Sequence, residues 1–327
     1  MNEILIDLSE LAVHPLLTGI QRVERELLRH WPGPASLVPC RFDAARETLV
    51  RLPEATIARL LDGDAPIVAG GEGSEEPLGS GLADRTVFNP ELFFDRARAD
   101  FYRRLCRAGA PGVSWLVYDF LPWLEPQFFG RLGASDRMDY IIALREVPRV
   151  GFISRETRAD YRRAIMRDGS REGPVFALGA DGLGLAKQRF DPARRDFVVL
   201  GSIEPRKNLP AILEAFQGLW RDGIDVRLVL LGRIIGAPER EQAMLASLAA
   251  EPYLTFIQEP DETMVRSALS RARALLTASL AEGFGLPPFE ALAAGIPVIA
   301  PASMPSIRLL EPGGQVRLKG TSAAEVA

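Results

Sequence analysis

The chain has 327 residues, of which 47% are hydrophobic and 25% charged, and a formal charge of −4. That length exceeds one ordinary core and points to two domains, and the apolar-to-charged balance excludes a disordered or fibrous chain. The negative charge argues against broad nucleic-acid binding, which needs a basic face able to release counterions.

Two cysteines, Cys40 and Cys106, make no disulfide framework and fit a reducing compartment. No apolar run approaches the roughly 20 residues that span a bilayer. The opening "MNEILIDLSE" carries acids where a signal peptide carries basic residues, so the expected location is cytoplasmic. With His14 and His30 as the only histidines and no Cys–x–x–Cys pair, no zinc or redox-metal site is expected.

In chain order, "ILIDLS" reads as a strand, and "TGIQRVERELLRHW" as a helix opened by Thr18 and Gly19. "SLVPCRF", "APIVAGG", "TVFNP", "SWLVYDF" and "RVGFIS" are further strands, with helices around 96–108, 130–147 and 155–167. The glycine-rich, then basic "GADGLGLAKQRFDPARR" (179–195) is the expected linker, which sets domains at 1–185 and 186–327.

The second half is more regular. "FVVLGSIEP" (197–205) is a strand and turn. "NLPAILEAFQGLW" places Leu209, Ile212, Leu213, Phe216, Leu219 and Trp220 at helical spacing, with Asn208 as the expected N-cap. The strand "VRLVLLG", a helix over 238–250, the strand "YLTFIQ" and a helix capped by Asp261 follow. Then come the strand "ALLTAS", a helix from Pro288 to a C-terminal Gly295, and the strand "PVIA". Nearly continuous apolar strands alternating with helices predict parallel sheets covered on both faces, an α/β fold. The chain stops soon after "PGGQVRLKG", so the last helices of such a domain are expected to be short or missing from this sequence.

Ligands of open parallel sheets bind outside the carboxyl ends of the strands. "SIEPRKN", "AEGFGLPP" and "HPLLTGIQR" all follow strands and would line one cleft if the domains face each other. Arg206 and Lys207 together suit a diphosphate, which a guanidinium fork and an ammonium can neutralise without a metal. Alone, such a pair reads as a solvated turn; the pattern G-S-x-E-P-R-K-N around it shifts the balance. In "EGFGLPPFE", Gly283 and Gly285 allow a tight turn and close approach, and Pro287 and Pro288 suit a helix start. The amides of Phe284, Gly285 and Leu286 would then meet phosphate or sugar oxygens. Glu282 is placed to accept from sugar hydroxyls, and Glu290 from vicinal hydroxyls of a ribose. Glu290 taken alone is equally a carboxylate well placed at a helix N-terminus.

"EGFGLPPFEALAAGIPVIA" resembles the E-x7-E segment of the retaining glycosyltransferases of family 4, and "LGSIEPRKNLPAILEAF" resembles their phosphate-binding strand–turn–helix. The likeness is close over 197–305 and looser at "VYDFLP", "SRETRADYRR" and "TGIQRV". It implies the GT-B architecture: two Rossmann-like domains facing across a cleft, with the nucleotide sugar on the C-terminal one and the acceptor on the N-terminal one. Carried over, Arg206 and Lys207 hold the donor diphosphate and Glu290 the ribose. Glu282 with the amides of Phe284 and Gly285 holds the transferred sugar, and Gly19 completes the phosphate cradle. Many relatives carry a histidine before the aspartate of "YDFLP", where this chain has Tyr118 and Asp119. Tyr118 is favoured over His14 to supply whatever that histidine does. Asp119 is the one candidate base for an inverting reaction.

The resemblance thus implies a metal-independent, retaining transfer needing no cofactor and no protein base, with the departing phosphate oxygen taking the acceptor's proton. The donor is a nucleotide-diphosphate sugar, GDP-hexose (mannose first) ahead of UDP-sugar. The acceptor is a saccharide or lipid-linked, in surface polysaccharide or glycolipid assembly. Rival readings are a phosphorylase or epimerase on the same fold, and a binding protein that has lost transfer. "DGD" (62–64) reads as a turn, not a metal site, and "GADGLGLA" lacks the third glycine of a dinucleotide fingerprint. The arginines of "DRARADFYRRLCR" and "SRETRADYRRAIMR" read as solvated helix faces, or as a peripheral contact with an anionic membrane at its inner face.

Overall fold

The computed structural model describes residues 3–14, 18–62, 78, 82–129, 134–166 and 173–327. The predicted strand "APIVAGG", most of "DGD" and the first residues of the helix expected from 130 lie outside them. The chain forms two compact units, one of Met1–Trp123 with Leu132–Leu178, the other of Leu124–Arg131 with Gly179–Ala327. The last passage from the first unit to the second falls at 178/179, at the start of the expected linker 179–195, and Leu124–Arg131 of the predicted first domain belong to the second unit.

In the first unit, β1 (Glu3–Asp7), β2 (Ser36–Asp43), β3 (Thr48–Arg51), β4 (Thr86–Asn89), β5 (Val113–Val117) and β6 (Arg149–Phe152) form a sheet in the order β3-β2-β1-β4-β5-β6. Its helices are α1 (Ser9–Val13), α2 (Gly19–His30), α3 (Glu54–Asp62), α4 (Arg96–Arg107), α5 (Leu121–Leu124, whose last residue is counted with the second unit), α6 (Ala134–Leu144) and α7 (Arg155–Asp160). The sheet is parallel as the alternation predicts, except at one edge. There β3, which the sequence reading did not separate, runs antiparallel to β2 and pairs Asp43 with Thr48. Asp43 Oδ1 accepts from the N–H groups of Ala45 and Arg46, both at 3.0 Å, and closes the turn. A connection this short can join only antiparallel strands.

In the second unit, β7 (Asp196–Leu200), β8 (Arg227–Leu231), β9 (Leu254–Ile257), β10 (Ala272–Leu276), β11 (Val298–Pro301) and β12 (Gln315–Leu318) form an all-parallel sheet in the order β12-β11-β10-β7-β8-β9. Helices α8 (Leu209–Arg221), α9 (Glu239–Ser247), α10 (Glu262–Arg271), α11 (Leu286–Ala293), α12 (Pro305–Leu309) and α13 (Ala323–Val326) accompany it. Side chains alternate across the sheet to two apolar layers. Leu228 and Leu230 of β8 pack with Ile212, Leu213 and Phe216 of α8. Leu231 packs with Val265 and Leu269 of α10. The unit continues past "PVIA" through α12, β12 and α13, whose Val326 joins the layer around α8.

Numbered within its own unit, each sheet has the doubly wound order 3-2-1-4-5-6. The strand order reverses between β1 and β4 in the first and between β7 and β10 in the second, so loops leaving those strand ends diverge and open a crevice. Among the described residues no helix is long and apolar enough to cross a membrane.

Candidate active site

The segment after β7 is shaped by close backbone approach. A Cβ on Gly232 would lie 1.9 Å from the Gly201 carbonyl oxygen, so the ends of β7 and β8 meet only because glycine stands there. Pro205–Lys207 then form a 3-10 turn, and Asn208 turns the chain with φ of 56° into α8. The expected capping role of Asn208 is not what its side chain does: no cap hydrogen bond forms. Its left-handed backbone directs Nδ2 to the carbonyls of Ala278 (3.3 Å) and Thr321 (2.7 Å) instead. With the Leu280 N–H donating to the Arg206 carbonyl at 2.8 Å, this ties the loop after β7 to the loop after β10.

That tie brings Arg206, Lys207 and Glu282 together. Lys207 Nζ donates to Glu282 Oε1 at 2.5 Å, and Arg206 Nη1 to Glu282 Oε2 at 2.8 Å. Arg206 Nη1 also reaches the Ala281 carbonyl at 3.2 Å, and Nη2 lies 2.7 Å from Glu204 Oε1, which accepts from Ser202 Oγ at 2.7 Å. Burial alone would raise the carboxyl of Glu282; Lys207, Arg206 and the Ser279 hydroxyl outweigh it and hold it at about 2. Sequence reasoning singled out the two cations and Glu282 but did not see that they pair. It also passed over Glu204, whose place in "IEPRKN" was its only signal.

Beyond Glu282 the chain enters α11 through Gly285, with φ of 93°. A Cβ there would sit 2.6 Å from Met304 Sδ, so both the backbone angle and the space require glycine. Phe284 is buried; its carbonyl accepts from Ser306 N–H at 2.9 Å and its ring packs edge-on to Phe289. Because α11 starts at Leu286, Pro287 and Pro288 fall at its second and third positions and contribute no N–H. Phe289 N–H is taken up by the Gly285 carbonyl at 3.4 Å. The N–H groups of Phe284, Gly285 and Leu286 find no acceptor among the described residues. The donors of this turn are thus the amides of Phe284, of the N-cap Gly285 and of Leu286, the first residue of α11, while the two prolines that follow supply none.

The earlier start of α11 corrects the placement of Glu290. It lies in the second turn, 2% exposed, not in the first turn. Stabilisation by the helix dipole fades beyond the first turn, so that simpler account of Glu290 loses force.

Gly19, Tyr118 and Asp119 belong to the first unit. Gly19 opens α2 behind Thr18, whose Oγ1 accepts from Gln21 N–H at 3.3 Å. Asp119 Oδ1 accepts from Leu121 N–H at 3.0 Å and shapes the turn into α5. Tyr118 is 5% exposed, and its Oη is buried without a partner among the described residues. Burial, with the negative charges of Glu24 and Glu91 next in effect, pushes that hydroxyl well above its ordinary range. A hydroxyl so enclosed differs from the group expected to replace a histidine beside a sugar. His14 is exposed, and its carbonyl accepts from Gln21 Nε2 at 2.8 Å.

The strand ends β1 and β4 carry a buried polar network that sequence reasoning missed. Asp7 Oδ2 accepts from Arg98 Nε (2.9 Å) and Tyr102 Oη (2.7 Å), and Arg98 Nη2 lies 2.6 Å from Glu91 Oε2. Glu91 accepts the N–H groups of Glu10 and Leu11 at 2.9 and 3.0 Å. Arg98 is 1% exposed, so the solvated helix face expected of "DRARADFYRRLCR" does not hold at this position. Helical spacing places Arg98 beside Ala99, Phe101, Tyr102 and Leu105 on the buried side of α4.

Residues 185–315 match the family described as glycosyl transferases group 1. Among solved structures, sucrose-phosphate synthase from Thermosynechococcus elongatus superposes with a TM-score of 0.69 at 14% identity, over 99% of this chain and 88% of that one. Anabaena Alr3699/HepE, solved in complex with UDP-glucose, does so with a TM-score of 0.65 at 15% identity and the same coverage. The chain has the GT-B fold. In sequence it is similar to the serotype-specific mannosyltransferase WbdA of Escherichia coli, 27% identical over 331 residues and 91% of this chain. The chain spans 37% of the length of that relative.

Proposed function

We propose that this GT-B chain is a retaining, metal-independent glycosyltransferase. It moves a hexose, mannose in preference, from a nucleotide-diphosphate sugar to a saccharide or lipid-linked acceptor. The setting is surface polysaccharide assembly, in the cytoplasm or peripherally at the inner membrane face. The observation that carries this reading is the meeting of Arg206, Lys207 and Glu282 at the switch point of the second sheet, beside the amides of Phe284, Gly285 and Leu286, which find no acceptor among the described residues. The match to glycosyl transferases group 1 over the residues that hold this cluster supports it, as does the likeness to a mannosyltransferase. That likeness supports mannose as the sugar; GDP ahead of UDP as its carrier is part of the proposal.

In the transfer, the bond between the anomeric carbon and the β-phosphate oxygen breaks and a bond to the acceptor oxygen forms on the same face. The acceptor's proton passes to the departing phosphate oxygen. Negative charge grows on the β-phosphate as the sugar leaves, and fixed cations with loop amides stabilise it more in the transition state than in the ground state. Arg206 and Lys207 supply positive charge at that oxygen. Glu282 and the amides of Phe284 and Gly285 hold the sugar, and Glu290 takes the ribose. Asp119, tied to the Leu121 N–H, is not required as a base.

The test is a thermal-shift screen against GDP-, UDP- and ADP-sugars, followed by transfer to a mannoside acceptor and assignment of the product anomer by NMR. GDP-mannose should stabilise the chain most and give an α-linked product. Inversion at the anomeric carbon, or transfer abolished by chelator and restored by a divalent ion, would overturn the mechanism. Stabilisation by no nucleotide sugar would overturn the site.

A further inference from the structure

The two cations of the candidate site are already matched by two carboxylates. Lys207 and Arg206 share Glu282 at 2.5 and 2.8 Å, and the other terminal nitrogen of Arg206 lies 2.7 Å from Glu204. Side chains of all four are largely buried, between 12 and 21% exposed, so their charges are only partly screened by water. The cluster therefore carries two positive and two negative charges and no net charge. A diphosphate meeting two uncompensated cations would be held strongly before and after transfer, which serves binding of donor and product alike and not the step between them. Glu282 has a role on the sugar in the reading above; Glu204 has none. It sits on the far edge of the guanidinium, and Ser202 Oγ fixes its Oε1 at 2.7 Å.

We propose that Glu204 is a positioning residue that holds the Arg206 guanidinium toward Glu282 and, through its charge, keeps the hold on the nucleoside diphosphate product weak enough for release. This rests on the reading of the site as one for a nucleotide-diphosphate sugar. Two functions are combined in one side chain: the hydrogen bond sets where the guanidinium points, and the charge sets how tightly a diphosphate is held. An amide in place of the carboxylate separates them, because it keeps the acceptor oxygen and removes the charge.

The experiment measures binding of GDP, UDP and inorganic pyrophosphate by calorimetry, and the time course of transfer, for the wild type, Glu204→Gln, Glu204→Ala and Glu204→Asp. Glu204→Gln and Glu204→Ala should each bind the diphosphates about tenfold more tightly at low salt, with the gain shrinking as ionic strength rises. Glu204→Asp should not. In Glu204→Gln the first turnover should stay fast and later ones slow, so that a burst appears and kcat falls together with KM. Glu204→Ala should also lose first-turnover rate, because Arg206 loses its anchor. A role in folding alone would lower the melting temperature and produce no burst. Wild-type binding of a diphosphate with unchanged or weaker binding in both charge-removing variants would overturn the inference and leave the site reading intact. Failure of the wild type to bind any of the three would overturn the site reading, and this inference with it.

Discussion

Lys207 Nζ lies 2.5 Å from Glu282 Oε1, although the two residues are 75 positions apart in the chain. They meet because β7 and β10 are neighbours, paired from Ala272 with Asp196 to Leu275 with Val198, while the chain between them builds the far side of the sheet. The ion pair is therefore a product of strand order.

Replacement of either cation should expose its share of the chemistry. Lys207→Ala and Arg206→Ala are each expected to cut transfer by at least ~100-fold, the scale of losing one preorganised charge-stabilising group. Steady-state rates with saturating donor measure it. Unchanged rates in both variants would remove the phosphate role.

The depressed carboxyl of Glu282 makes a pH prediction with a definite sign. Its folded value of about 2 lies below the ordinary 4.5, so ionised Glu282 stabilises the fold fully above 4.5, and that stabilisation is lost as pH falls toward 2. The difference corresponds to about 3 kcal/mol. Urea unfolding of the wild type and Glu282→Gln at pH 7 and at pH 3 should show the wild-type advantage shrinking on the acid side. An advantage that grew on acidification would contradict the ion-pair account.

Glu290→Ala is expected to weaken donor binding by about 1.5–3 kcal/mol through loss of charged hydrogen bonds. Calorimetry with the donor, read beside the melting temperature of the free protein, separates binding from folding. A lowered melting temperature with unaltered donor affinity would make Glu290 a structural carboxylate of α11.

Tyr118→Phe tests whether that hydroxyl serves the reaction. Its Oη is buried and lacks a partner among the described residues, so removing it should stabilise the protein by about 1 kcal/mol and leave transfer unchanged. Thermal unfolding and steady-state rates give both numbers. A tenfold loss of rate in a stable Tyr118→Phe would restore Tyr118 to the catalytic machinery.

Much of the second unit could be read from residue order alone. The 3.6-residue spacing of Leu209, Ile212, Leu213 and Phe216 marks the buried face of α8, and those residues are buried. Gly295 before Ile296 and Pro297 marks the end of α11. There Gly295 takes φ of 86° and its N–H donates to Leu292, while Ile296 N–H donates to Ala291, each at 2.9 Å. Such features involve neighbours along the chain, so local spacing encodes them.

Other features needed contacts across the fold. Asn208 has the composition of an N-cap, yet carbonyls from residues 278 and 321 compete for its amide and win. Arg98 belongs to an arginine-rich helix and looks solvated until Asp7 and Glu91 close around it from two neighbouring strand ends. Glu204 gains a role only where the guanidinium of Arg206 turns toward it.

By itself the sequence determined the alternation of strands and helices, the parallel sheets it implies, and which loops follow which strands. These depend on periodicity and on turn-forming residues, both of which are local. Tertiary structure alone decided that two cations would face two carboxylates, that Glu290 and the Tyr118 hydroxyl would be enclosed, and that β3 would turn back on β2. Charge pairing and burial depend on distances between residues far apart in the chain, and strand order sets those distances.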